Sequence, residues 1–152
     1  MKTLPLDKIA AFFAEAKNSG VYEMYLLEIA TGLRRDELLG LKWTDVNYDA
    51  GTIYVQRQIC RIDGTVTEGP LKTKNSYRKI VVPADVMDVL KKKQAKDDGA
   101  SEYVFFSPLT NGPISPSQIL SRCSLGARRI ALYLLTHSPS LHPPLAALGS
   151  FP

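Results

Sequence analysis

Residues 31–43 read TGLRRDELLGLKW, and the fold turns on how this stretch is read. Gly32 stands where a left-handed helix cap is wanted, at the end of an apolar-rich helical segment running from Val21 to Ala30. A further helix is expected to start near Arg34 and to end before Asp45. Its first turn holds Asp36 and Glu37, where carboxylates suit the positive end of the macrodipole, and Leu38, Leu39, Leu41 and Trp43 form its buried side. Arg34 at that helix mouth would lie beside free backbone N–H groups, a place that favours an anion twice over. A guanidinium suits phosphate because its fork donates bidentately and keeps its charge when partly dried. Glu37, one turn along, is placed to orient that arginine. The competing reading pairs Arg34 and Arg35 with Asp36 and Glu37 on a solvated face.

Upstream, Ile9, Phe12, Phe13 and Ala16 make the i, i+3, i+4, i+7 stripe of an amphipathic helix that Gly20 stops. Downstream of Asn47 the period changes to two. TIYVQRQI (52–59) reads as a strand, Asp63-Gly64 as a hairpin turn, Thr65 to Glu68 as a short return strand and RKIVV (78–82) as a third. Together they predict a small three-stranded antiparallel sheet. Pro83 opens a helix over Ala84 to Lys96, whose Lys91-Lys92-Lys93 exit suits the C-terminal dipole. YVFF (103–106) is a short apolar run, NGP (111–113) a turn, and Ser115 to Arg129 a helix beginning at Pro116. The fold class is therefore α+β, mostly helical around a small sheet.

The chain of 152 residues is long enough to bury a core without disulfides or metal. Cys60 and Cys123 lie far apart with no metal-ligand spacing near either, which suggests neither a disulfide framework nor a zinc site and suits a reducing cytosol. No apolar run approaches the length of a membrane span, and the N-terminus lacks the character of a secretory signal. A cytoplasmic protein with no membrane partner is expected. The net charge of +4 divides as −2 over residues 1–50, +4 over 51–100 and +2 over 101–152, so the middle third carries the basic surface. A balance of this kind mildly favours a polyanionic partner.

Within that basic third, LKTKNSYRKIVVP (71–83) places Lys72 on what reads as a hairpin tip. A lysine there is flexible enough to reach a substrate and, once partly desolvated, acidic enough to hand on a proton. Lys74 points the same way. Lysines at turns also serve simply as solubilising edge charges.

TGLR-x-x-E, then Leu-x-x-Leu-x-Trp, then KT-x-x-S-x-R-x-I, then VFFS (104–107) and GPIS (112–115) occur in that order from about Thr3 to about Ser121. This ordered set resembles the catalytic domain of the tyrosine recombinases, the phage and transposon integrases. The resemblance implies a tyrosine-recombinase catalytic core over residues 1–125 and, as partners, double-stranded DNA and other recombinase subunits. It implies Arg34 as the first catalytic arginine on the scissile phosphate, Glu37 as the acid supporting it, and Lys72 as the lysine that protonates the leaving 5′ oxygen. Arg35, Lys74 and Arg78 join Arg34 and Lys72 as the DNA-binding set. The family cuts one strand by tyrosine attack and rejoins it through a 3′-phosphotyrosine bond, with no metal, ATP or other cofactor.

The C-terminal part departs from that pattern. Beyond Arg129 there is no Asp, Glu, Lys or Arg, and four of the ten prolines fall there. The His-x-x-Arg box is missing: three residues after His137 and His142 stand Ser140 and Leu145. Tyr133, the sole tyrosine beyond Arg129, lacks the family's surroundings, so no nucleophile is recognisable. Residues 126–152 are expected to be an atypical tail, out of frame from about Ser121 to Leu125, in place of the family's C-terminal helices. The DNA-clasping domain usual ahead of the catalytic one is not in this chain, so weak, salt-dependent DNA affinity is expected. Three functions compete: a catalytically incomplete recombinase fragment, a non-catalytic DNA-binding or regulatory module, and a small basic domain whose partner is protein or RNA.

Overall fold

The amphipathic stripe forms α1 (Leu6–Ser19), with Ile9, Phe12, Phe13 and Ala16 all buried. It packs on α2 (Tyr22–Thr31), where Phe12 meets Tyr25 edge-on at 4.8 Å and Phe13 meets Tyr22 edge-on at 5.7 Å. Such tilted ring pairs add about 0.5–1.5 kcal/mol to the burial of their area. The structure, a computed structural model, describes residues 6–19 and 21–122. The expectations for residues 123–152, including Tyr133, His137, His142 and the tail, lie outside the described residues.

Gly32 ends α2 as expected: its φ of 65° is left-handed and its N–H donates to the Glu28 carbonyl at 2.8 Å. The next helix, α3 (Arg35–Leu39), is only five residues long and stops well short of Asp45. At Gly40 a Cβ would come within 3.2–3.3 Å of Arg57 and Gln58, so the chain here runs close against a neighbouring strand. Leu41 to Trp43 then leave the helix for an antiparallel bridge. Val104 N–H donates to the Leu41 carbonyl at 2.9 Å, and Trp43 N–H to that of Glu102 at 3.0 Å. Leu38, Leu39 and Leu41 are buried as expected, but Leu41 and Trp43 reach the core from a non-helical backbone, and Trp43 is half-buried in a 3-10 turn, Trp43–Asp45.

The sheet also differs from expectation. β1 (Val46–Asn47), β2 (Thr52–Val55) and β5 (Arg78–Val81) form one antiparallel sheet in the order β1-β2-β5. β3 (Gln58–Ile62) and β4 (Thr65–Gly69) form a separate two-stranded ribbon, closed by Asp63-Gly64 with φ of 51° and 79° at the two turn residues. The run 52–59 is thus two strands, broken at Gln56-Arg57. Both side chains reach one carboxylate: Gln56 Nε2 donates to Asp45 Oδ1 and Arg57 Nη1 to Asp45 Oδ2. Successive residues of a pleated strand point to opposite faces, so two neighbours can share an acceptor only where the pleat is interrupted. Asp45, 5% exposed, also accepts Lys42 N–H at 2.9 Å, and this satisfied buried carboxylate sets where the chain changes sheets.

α4 (Ala84–Asp97) follows Pro83 and buries Val86, Met87 and Leu90. Its predicted cationic exit includes Lys93, which pairs with Asp97 at 2.7 Å. α5 (Pro116–Arg122) starts in a capping box: Ser115 N–H donates to Gln118 Oε1 at 2.9 Å and Gln118 N–H to Ser115 Oγ at 3.3 Å. The expected continuation of this helix to Arg129 lies outside the described residues. No helix among the described residues is long and apolar enough to cross a membrane.

Candidate functional site

The Thr-Gly turn aims Arg34. Thr31 Oγ1 donates to the Leu27 carbonyl at 2.6 Å and accepts Leu33 N–H at 3.3 Å, which closes the corner after α2. Leu33 is fully buried, and its burial, worth about 1.5–3 kcal/mol, anchors the turn. Arg34 follows with extended backbone, φ −67° and ψ 147°, and its side chain is exposed.

The two adjacent arginines have different surroundings. Arg35 Nε pairs with Asp36 at 3.1 Å on a half-exposed surface, as the solvated-face reading expects, and such a pair contributes at most about 1 kcal/mol. Arg34 takes neither acid. Its guanidinium has no ion-pair or hydrogen-bond partner among the described residues. Glu37 is 4% exposed, and its carboxylate accepts Arg34 N–H at 3.1 Å, so it fixes the main chain of Arg34 and not its side chain, a correction to the expected orienting contact. With α3 at five residues the macrodipole is small, so the attraction for an anion falls to the guanidinium itself rather than to the helix mouth.

The other face of Glu37 is taken by Arg78. Nη1 donates to Oε1 at 3.1 Å and Nη2 to Oε2 at 2.9 Å, a bidentate fork. Arg78 begins β5 and ends the loop that carries Lys72. That loop is not a hairpin tip, because β4 pairs with β3 and β5 with β2, so residues 70–77 are the crossover between the ribbon and the sheet. A 3-10 turn at Lys74–Ser76 folds it back, closed by a 2.8 Å hydrogen bond between the Thr73 and Ser76 hydroxyls. Lys72 and Lys74 are exposed there, with no ion-pair partner among the described residues. Chain continuity from Lys72 to Arg78, and Arg78 to Glu37, thus ties the Lys72 loop to the Arg34 corner.

Two other polar groups near this junction escape sequence reasoning. Lys42 Nζ pairs with Glu68 at 2.6 Å and Glu102 at 3.2 Å, and the Tyr103 hydroxyl donates to Glu68, pinning β4 to the core. The hydrogen bond that Lys42 donates to Glu68 holds Glu68 below the usual carboxylate range and raises Lys42 above the usual value for lysine. Glu28, on α2, is 2% exposed and neither carboxylate oxygen has a hydrogen-bond partner among the described residues. Burial pushes its pKa up to about 7, against a smaller lowering by Arg35. The Gln-Arg pair inside an alternating strand was a readable signal of the break at 56–57; nothing in the sequence marks Glu28, because an acid at the end of an apolar helix reads as solvated.

Comparison with known proteins bears on the family and the fold. A tyrosine recombinase XerC-like protein of Caldanaerobacter subterraneus subsp. tengcongensis (strain DSM 15242 / JCM 11007 / NBRC 100824 / MB4) is 27% identical over 132 residues, 78% of this chain and 34% of that protein. The integrase of the Tn1549 transposon, solved in complex with transposon right end DNA, superposes with a TM-score of 0.67 at 15% identity, covering 97% of this chain and 64% of that one. The XerA recombinase superposes with a TM-score of 0.61 at 17% identity, covering 86% and 42%. The chain therefore spans about a third of the length of the curated relative and under two thirds of either solved one. The model of the phage integrase family matches residues 2–138, and with the α+β fold of the tyrosine recombinase catalytic domain in place, the chain belongs to that family.

Proposed function

We propose that the chain is the DNA-gripping core of a tyrosine recombinase, in which Arg34 and Lys72 hold one backbone phosphate of duplex DNA. Glu37 keeps the Arg34 main chain in position, and Arg35 and Lys74 add charge along the same path. One observation carries the reading: four basic groups around this junction are spent on carboxylates, whereas Arg34, Lys72 and the neighbouring Lys74 are not. Arg57 is taken by Asp45, Lys42 by Glu68, Arg35 by Asp36 and Arg78 by Glu37. Arg34 and Lys72 stand exposed with their charges unneutralised by any described residue, so a phosphate meets two cations free to replace its counterions.

In the intact family Lys72's counterpart protonates the leaving 5′ oxygen and a tyrosine attacks the phosphorus. This sequence offers Arg34, Glu37 and Lys72 but no His-x-x-Arg box and no recognisable nucleophile. Loss of one donor to the transition-state charge costs roughly 10²–10³ in rate, and loss of the nucleophile closes the covalent route. The chain as written therefore binds DNA without cutting it, either alone or beside other recombinase subunits. Fluorescence anisotropy with a labelled duplex across a salt series tests the grip. Affinity is expected to fall linearly with log salt, and Arg34→Ala and Lys72→Ala each to reduce the slope by about 0.9. Unchanged affinity in both variants removes the reading. A covalent protein–DNA adduct on a suicide duplex would overturn the non-cutting half of it.

A further inference from the structure

Arg78 lies 41 residues from Glu37 in sequence and holds both of its carboxylate oxygens, at 3.1 and 2.9 Å. The same guanidinium donates from Nη1 to the Ser76 carbonyl at 2.8 Å. Glu37 in turn accepts the N–H of Arg34 at 3.1 Å. One side chain therefore joins the end of the Lys72 loop, the start of β5 and the corner from which Arg34 projects. Its own backbone is held in the sheet, where Arg78 is the partner of Val55. The start of the loop is tied less firmly, by an exposed hydrogen bond from Gln58 Nε2 to the Pro70 carbonyl at 2.8 Å.

Three of the five N–H donors of this guanidinium are taken by protein acceptors, which leaves Nε–H and one Nη2–H, against the five that the unpaired Arg34 offers a phosphate. An approaching phosphate would also meet the Glu37 carboxylate that the guanidinium neutralises. Resting on the reading that Arg34 and Lys72 grip DNA, we propose that Arg78 is a positioning residue and not a DNA contact. Through Glu37 it locks the Arg34 corner and the Lys72 loop into one rigid unit, so that two cations remote in sequence meet a single phosphate without further ordering. Arginine is required because only a planar fork spans both carboxylate oxygens while still reaching Ser76; lysine keeps the charge and loses the geometry.

Amide hydrogen exchange on the 152-residue chain tests the clamp without DNA. In Arg78→Lys and Arg78→Ala, the Arg34 and Tyr77 amides are expected to exchange roughly tenfold faster or more, while Tyr25 and Leu27 in α2 keep their protection. Unchanged exchange at Arg34 overturns the proposal. So does a uniform loss of protection across the chain, which would make Arg78 a general stability residue.

With a labelled duplex, Arg78→Lys is expected to lose as much affinity as Arg78→Ala, and Arg34→Ala to add no further loss in either background. A lysine variant that keeps wild-type affinity and salt slope, or losses that add, marks Arg78 as a phosphate contact and overturns the proposal. If Arg34→Ala and Lys72→Ala are themselves silent, the DNA reading has failed, and the exchange experiment still decides the clamp.

Discussion

Glu28 near the end of α2 and Glu37 in α3 are buried to similar degrees, 2% and 4% exposed, yet their surroundings are opposite. Glu37 receives three donors, two from the Arg78 fork and one from the Arg34 backbone. Glu28 receives none among the described residues, and burial lifts its pKa to about 7. A buried carboxylate that is fully hydrogen-bonded fixes its neighbours. One left without partners raises its pKa and takes up a proton instead. The first arrangement builds the corner that carries Arg34, whereas the second leaves a pH-sensitive weakness in α2.

The largest expected effect that would break the comparison is Glu37→Ala. It strands the Arg78 guanidinium and the Arg34 N–H, and chemical denaturation is expected to show a loss of about 3 kcal/mol, since hydrogen bonds to charged groups contribute roughly 1.5–3 kcal/mol each and Arg78 is partly solvated. A loss under about 1 kcal/mol would mean the fork is decorative.

Glu28→Gln is expected to act in the opposite direction. The folded chain holds the Glu28 proton up to about pH 7 while the unfolded chain releases it near the ordinary 4.5. Native protein therefore binds more protons across that window, and stability is greatest below it and declines as pH rises to about 7. At pH 8 the glutamine variant should be more stable by on the order of 2 kcal/mol, with the gain fading towards pH 5. A gain that does not change with pH would place its origin elsewhere.

Glu68 supplies an intermediate case: partly exposed, but held by Lys42 and Tyr103 below the usual carboxylate range. Its contribution is present above the ordinary value and is lost as pH falls through the lowered one, the reverse of Glu28. Tyr103→Phe removes one donor and is expected to cost about 1 kcal/mol by thermal or chemical unfolding at neutral pH. Smallest of all is Asp36→Ala, which frees the half-exposed Arg35 and should change stability by less than about 1 kcal/mol. A large loss there would show that the solvated arginine is structural after all.

Much of the scaffold was legible because it rests on local periodicity. The stripe of α1, the left-handed Gly32, the Asp63-Gly64 turn and the Pro83 helix start each depend on a few adjacent residues. The errors share one cause. α3 was read as too long and 52–59 as one strand because the features that end them are contacts with distant residues. Gly40 lies against Arg57, Leu41 pairs with Val104, and Gln56 and Arg57 converge on Asp45.

The candidate site divides in the same way. By itself the sequence singled out the candidate residues, because Arg34, Glu37 and Lys72 sit in short ordered motifs whose spacing is legible without any fold. Only the tertiary structure decided what each of them touches. It gave Glu37 to the Arg34 backbone and to Arg78, Arg35 to Asp36, and left Arg34 and Lys72 open. The physical reason is that hydrogen bonds and ion pairs act over about 3 Å, and partners brought that close can be 41 residues apart along the chain.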